Sequence, residues 1–301
     1  MVSRRNLGNL NILFLIAGAA IIALLITWAG PEKVYQSFIS ANPLFLMAAL
    51  VPLAAAIALR IVKTSLYFRK LGMHYGIRGP VKFTLSVLFL GSISPFRSGE
   101  LLTGLAVDKG SRKKSTSVVV MDRFIETLAT LVLILAATLL ARSAFVDNYR
   151  ILLLIGASFL IFFFVLVVGE RMWGFRQHMR LFNPMQLGLM FLLALSATFI
   201  ESFYFILIFN AFSIELSLAS AVFLQQTANI IAFVASTPGG LGSREAYLIA
   251  VLTEMGFMAP VVLTAELAYK IVQWLVIIPL GSISFLSLKS ESSNASQKRK
   301  S

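Results

Sequence analysis

The sequence predicts an all-α, polytopic membrane bundle: about six full spans plus two broken, re-entrant helical hairpins, arranged as an inverted repeat. Three observations carry that expectation. Apolar residues make up 58% of the chain and charged residues 13%, with a mean hydropathy of +0.87, far from an average soluble domain. The apolar residues fall in long runs, at 10–29, 43–59, 118–141, 151–169, 187–212, 218–235 and 261–288. Several of these reach the roughly 20 residues that cross about 30 Å of hydrocarbon. Finally, two apolar regions are broken at 94–100 (Ser94-Pro95-Phe96-Arg97-Ser98-Gly99-Glu100) and 237–245 (Thr237-Pro238-Gly239-Gly240-Leu241-Gly242-Ser243-Arg244-Glu245). A transmembrane barrel would instead need alternating segments of ~10 residues.

The net charge of +13 follows topology and does not point to nucleic acid. Lys and Arg gather at the N-terminus, from Arg60 to Lys82, at 109–114, at 171–180 and after Leu288. The positive-inside rule places those segments in the cytoplasm. The first run follows Arg4 and Arg5 without a small-x-small cleavage site before Trp28, so it reads as a retained anchor. The link at 29–32 reads as a plain turn. The second span returns the chain to the cytoplasm, and 83–107 must dip in and come back. Three spans follow, at 118–141, 151–169 and 187–211, and 218–258 dips from the outer side. The last span leaves both termini inside the cell. Only Arg97, Arg123, Arg244 and Lys270 remain within apolar segments by this threading. The chain then reads as one integral membrane domain, 1–288, followed by a disordered basic cytoplasmic tail at 289–301.

Two halves, roughly 43–141 and 184–288, share landmarks. Asn42-Pro43 and Asn183-Pro184 each open a span, and 17 residues after each proline stands a charge, Arg60 or Glu201. Pro95 follows Pro43 by 52 residues and Pro238 follows Pro184 by 54. Asp122-Arg123-Phe124-Ile125-Glu126 then matches Glu266-Leu267-Ala268-Tyr269-Lys270. Three crossings separate the two openings, so the copies face opposite ways, and in such repeats the substrate site lies near the midplane.

Non-helical backbone at membrane depth is tolerated only inside protein or beside a wet cavity, and ionisable groups there mark substrate or ion paths. Pro95 ends the helix before it, and Glu100 opens the returning helix, where a carboxylate suits the positive dipole end. In the second break Ser243 is the expected N-cap of a helix at 244–255. Helix-start amides with an arginine alongside suit a phosphate or carboxylate. Arg97 and Arg244, with Gly239, Gly240 and Gly242, are therefore the candidate anion site. The alternative is a structural ion pair. Glu100, Glu245, Asp122, Arg123, Glu126 and Lys270 are supporting charges, either as clasps on the hairpins or in direct substrate contact. Glu201 either pairs, with Arg60 or Lys270, or takes up a proton. Asn229 and Gln225-Gln226 read as helix-to-helix hydrogen bonds.

The absence of cysteine and the presence of only two histidines leave thiolate and histidine-rich metal sites unsupported. No nucleotide loop, zincin helix or nucleophile elbow is present, so neither a cofactor nor a catalytic role is expected.

Pro95-x-Arg97-x-Gly99-Glu100, then Asp122-Arg123 with Glu126, then Pro238-Gly239-Gly240-x-Gly242-x-Arg244-Glu245, resembles the transmembrane region of lysylphosphatidylglycerol synthases, the flippase-like domain family. The resemblance covers roughly 10–288. The first motif departs from it at Phe96, where a glycine is common, and at Ser94. The resemblance implies a lipid translocase of the cytoplasmic membrane acting on an anionic phospholipid or polyprenyl-phosphate lipid. It also implies a possible partner enzyme of lipid or glycan synthesis, since the soluble synthase domain does not follow residue 288. The rival expectations are an enzyme or enzyme subunit acting on polyprenyl-phosphate sugars, and a membrane scaffold for a partner enzyme.

Overall fold

The computed structural model describes residues 20, 22–73, 76–94, 97–107, 112–140, 180–234 and 240–298. The expected span at 151–169, most of the one at 10–29, and Pro95, Phe96, Pro238 and Gly239 lie outside the described residues. Every regular element among the described residues is helical. In chain order they are α1 (Pro31–Ile39), α2 (Pro43–Lys70), α3 (Arg78–Ile93), α4 (Gly99–Ala106), α5 (Arg112–Leu140), α6 (Pro184–Asn210), α7 (Leu218–Val234), α8 (Ser243–Glu254) and α9 (Ala259–Lys298).

Local chemistry accounts for the starts and stops. Pro31 opens a helix where a turn was expected, because proline at the first helical position gives up only an amide with no intrahelical partner and Gly30, at φ 90°, makes the bend before it. Both Asn-Pro openings cap their helices: the Leu44 amide donates to Asn42 Oδ1 (3.0 Å) and the Gln186 amide to Asn183 Oδ1 (2.8 Å). Such caps satisfy amides that have no partner inside the helix. Both expected breaks are present, with α3 ending at Ile93 before α4 and α7 ending at Val234 before α8. The last helix continues through 289–298, the stretch whose composition suggests an unstructured tail. Extension from an existing helix needs no new nucleus.

Three helices, α2, α6 and the 259–290 part of α9, are long and apolar enough to cross a membrane. Their 27 to 32 residues span about 40–48 Å at 1.5 Å per residue. Much of their apolar surface is uncovered, Met185 at 85% and Leu275 at 71% exposure, as expected where lipid is the solvent. Helix α5 has 29 residues, enough to span, but Asp122, Arg123 and Glu126 lower its hydropathy. Pro52 and Pro279 sit inside α2 and α9, a position that membrane helices tolerate because neighbouring groups satisfy the freed carbonyl.

The chain falls into two compact units, and three of the long helices contribute to both. One unit comprises Met1–Leu53, Gly91–Ser98 and Ser202–Val276. It is held by Tyr204, Phe205 and Tyr269, with ring centroids 4.6 Å apart for Tyr204–Tyr269 and 6.0 Å for Phe205–Tyr269. The Asn42 amide donates to the Ala211 carbonyl (2.8 Å).

The other unit comprises Ala54–Leu90, Gly99–Glu201 and Ile277–Ser301. Its apolar core gathers Tyr67, Phe68, Phe83, Val119, Met121 and Phe182, with Phe68 edge-on to Phe83 at 5.1 Å. Here α4 lies close against α5. A Cβ on Gly104 would stand 2.8 Å from Thr116 Cα, and Ser115 Oγ donates to the Gly104 carbonyl (2.8 Å). Small residues let membrane helices approach this closely. Gly104→Ala is therefore expected to lower stability by about 1–3 kcal/mol, the usual cost of overpacking, despite alanine's better helix propensity. Thermal unfolding in detergent measures it, and an unchanged or raised midpoint would show that the helices can part without cost.

Candidate functional site

Each unit buries a set of charges, and each set clasps the helix that returns from a break. In the first, α2 supplies Arg60 and Lys63. The threading placed the basic segment from Arg60 onward in a cytoplasmic loop. The helix instead runs on to Lys70 and carries both side chains inward, Lys63 at 0% exposure. This is possible because every one of these charges meets an opposite one. Lys63 Nζ lies 2.8 Å from Asp122 Oδ1 and 3.0 Å from Glu126 Oε1. Arg60 reaches Glu201 Oε1 through Nη1 (2.5 Å) and Glu126 Oε1 through Nε (3.2 Å). Arg123 holds Glu100 Oε2 with Nε (2.6 Å) and Glu126 Oε2 with Nη1 (2.7 Å). Glu126 is the hub, touched by three cations.

The first turn of α4 is thus tied through Glu100 to α5. Glu201 pairs with Arg60, one of its two expected partners. Beside this network is a cavity of about 10 Å³ lined by Arg60, Thr64, Thr84, Asp122 and Arg123, room for about one water. Thr84 Oγ1 donates to Thr64 Oγ1 across 2.9 Å.

The second set lies in the other unit. Gly240 (φ 72°) and Gly242 (φ 85°) take backbone conformations that L side chains resist, and a Cβ on Gly240 would collide with that of Ala232. Gly242, not Ser243, caps α8: its amide donates to Glu245 Oε2 (2.7 Å). Glu245, three residues on, reaches back as in a capping box, while Ser243 Oγ turns to the Gly240 carbonyl (3.3 Å). The other oxygen of Glu245 lies 2.6 Å from Lys270 Nζ. This clasp on α8 matches the Glu100–Arg123 clasp on α4.

Arg244 is 4% exposed. Its Nε donates to Glu266 Oε1 (2.5 Å), its Nη1 to Asn229 Oδ1, and its guanidinium lies 4.4 Å from the centre of the Tyr269 ring. The ring face attracts the cation. Tyr269 is in turn held by a hydrogen bond from Tyr204 Oη to its carbonyl (2.5 Å) and one from Gln225 Nε2 to its hydroxyl (3.3 Å). The amides of Asn229 and Gln225 do act between helices. Glu266 and Lys270 do not serve each other along α9, since each is paired with a residue of α8. Among the described residues Arg244 Nη2 has no hydrogen-bond partner.

Arg97 follows the first break with φ 53°, a left-handed conformation uncommon in residues other than glycine. Gly239 lies outside the described residues. Sequence reading missed Lys63 and Tyr269. The signal for Lys63 was its place three residues after Arg60, one helical turn along the same face.

This arrangement, two broken helices whose returning arms are clasped by buried ion pairs, lies within the part of the chain that matches one protein family. The model for the lysylphosphatidylglycerol synthase TM region matches residues 15–281. The chain belongs to this family. A UPF0104 membrane protein from Methanothermobacter thermautotrophicus is 25% identical, across 87% of this chain and 89% of that one. Membership, together with the apolar helices, makes the chain an integral membrane protein. The matched stretch includes both buried sets and Arg97.

Proposed function

We propose that this protein is a flippase-like carrier of an anionic phospholipid or polyprenyl-phosphate lipid in the cytoplasmic membrane. Arg97 and Arg244 bind the lipid phosphate, and the helix start bearing Glu245 supports it. The observation that carries the reading is the unfilled donor on Arg244. A buried guanidinium with two donors held and a third without a hydrogen-bond partner among the described residues departs from the rule that buried polar groups are satisfied. A phosphate oxygen supplies the missing acceptor in a charge-assisted bond. Asn229 and Glu266 hold the fork at rest and loosen as the phosphate takes over.

The paired positions support an inverted repeat. Arg60 and Glu201 occupy the same place in the two halves and are partnered with each other. In a two-fold arrangement a position meets its own counterpart only at the axis. Both termini are then cytoplasmic and the two hairpins open to opposite leaflets. The lipid is returned chemically intact, so the protein is not itself an enzyme. Synthesis or use of the lipid falls to a partner enzyme.

The test is leaflet-resolved transport in liposomes with Arg97→Lys and Arg244→Lys variants. Lysine keeps the charge but loses the bidentate fork, so each variant should fold and lose transport by at least about tenfold, the loss of roughly one good charged hydrogen bond. Full transport in both would remove the arginines from the site. Purified protein that alters the headgroup, seen by mass spectrometry of the recovered lipid, would overturn the carrier reading.

A further inference from the structure

A second feature lies away from the buried charges, where the C-terminal turn of α2 meets the N-terminal end of α6. A groove of about 330 Å³ opens there, at the lower end of the range for small-molecule sites. Its walls are apolar, formed by Leu66, Phe182, Leu189 and Met190. Phe182 and Met190 are buried, and Tyr67 packs edge-on against Phe182 at 5.9 Å, so that part of the floor is fixed. Among the described residues the polar part of the lining is Arg69, Lys70 and Gln186. Both cations are exposed, and neither forms an ion pair among the described residues. Gln186 is engaged with the Asn183 cap.

Chemistry therefore divides along the groove, with hydrocarbon walls below and two positive charges at the lip. The charge pattern of the chain places both helix ends on the basic side of the membrane, where anionic headgroups are attracted to Lys and Arg. A soluble anion would satisfy the cations but would leave the apolar walls without a partner. An apolar peptide would do the reverse.

We propose that this groove binds an anionic phospholipid of the basic-side leaflet, its acyl chain against Leu66, Phe182, Leu189 and Met190 and its phosphate against Arg69 and Lys70. The site shares no residue with the Arg244 or Arg60 sets and does not depend on transport.

The experiment is native mass spectrometry of the full-length protein from detergent containing equal phosphatidylserine and phosphatidylcholine, compared with the double variant Arg69→Gln/Lys70→Gln and with Leu189→Trp. Leu189 is 47% exposed, so the larger ring fills the groove without entering the core. The wild type should retain phosphatidylserine in preference. The double variant should lose that preference by roughly 30-fold, since each cation near the membrane surface contributes about fivefold to anionic-lipid attraction. Leu189→Trp should reduce retention of both lipids. Equal preference in the wild type and both variants would overturn the proposal. So would displacement of the phosphatidylserine by glycerol phosphate at equal concentration, because that would make the site one for a free phosphate. Transport defects from Arg97 or Arg244 variants have no bearing on these readouts.

Discussion

Glu266→Ala is expected to destabilise the protein by about 3–5 kcal/mol, the cost of leaving one member of a buried ion pair alone. Glu266 is fully buried and its Oε1 accepts from Arg244 Nε at 2.5 Å. Without it the guanidinium keeps, among the described residues, Asn229 and the ring faces of Tyr269 and, farther off, Phe205. None of these carries an opposite formal charge, and a stacked ring offers about 2 kcal/mol at best. The midpoint of thermal unfolding in detergent should fall by on the order of 10 °C. A second variant separates folding from function. Arg244→Met with Glu266→Leu removes both charges and keeps the volume, a replacement that is often neutral or stabilising. The double variant should therefore unfold near the wild-type temperature while transporting no lipid. If it transports normally, Arg244 is only a clasp and the phosphate site lies elsewhere. If Glu266→Ala alone leaves the midpoint unchanged, the buried pair is not holding α8 to α9.

Lys63→Ala should have an effect of similar size, and a larger one than Glu126→Gln, although Glu126 is the better connected residue. Lys63 is completely buried and lies 2.8 Å from Asp122 and 3.0 Å from Glu126. Its removal opens a cavity and takes from Asp122 the cation facing it across the helix pair. Both terms are unfavourable, and together they come to about 3–5 kcal/mol. Glu126→Gln also strips one charge, yet each cation keeps another carboxylate: Arg60 has Glu201, Lys63 has Asp122 and Arg123 has Glu100. Its cost should stay near 1–2 kcal/mol, that of weakened charged hydrogen bonds. Unfolding midpoints of the two variants, measured in one detergent at one scan rate, decide the order. Glu126→Gln as the more damaging change would mean that the hub, not the α2 lysine, holds this unit together.

Much of the candidate site could be anticipated from residue types. Proline disfavours continuing a helix and glycine weakens it, so the breaks at 94–100 and 237–245 are written locally. Asn42 and Asn183 announce their helix starts for the same reason. Charges inside apolar segments were recognisable as important because their cost in hydrocarbon demands a partner. Partners were legible only for Glu201, which was narrowed to Arg60 or Lys270 and takes Arg60. Glu266 lies one turn from Lys270 on the same helix, and spacing alone pairs those two. In the fold, Glu266 goes to Arg244 and Lys270 to Glu245, because α8 lies against α9 and brings two opposite charges closer than the helix neighbours are. Lys63 shows the complementary failure. A lysine near a run of basic residues looks like the edge of a cytoplasmic loop. Only the carboxylates that α5 presents to α2 make it a core residue.

What the sequence by itself determined is what is set within a few residues or by composition: helices without strands, segments fit for a membrane, the two breaks, the helix starts at Asn42-Pro43 and Asn183-Pro184, and the inventory of charges. What the tertiary structure alone decided is how those charges combine. Those decisions include the Glu126 hub, the Glu245–Lys270 clasp, the Tyr269 face beneath Arg244 and the donor that Arg244 leaves open among the described residues. The physical reason is range. Backbone conformation answers to steric and hydrogen-bonding rules that act over one or two helical turns. A buried ion pair forms between whichever opposite charges helix packing brings within about 3 Å, and residues such as Arg60 and Glu201, 141 positions apart, carry no local mark of one another.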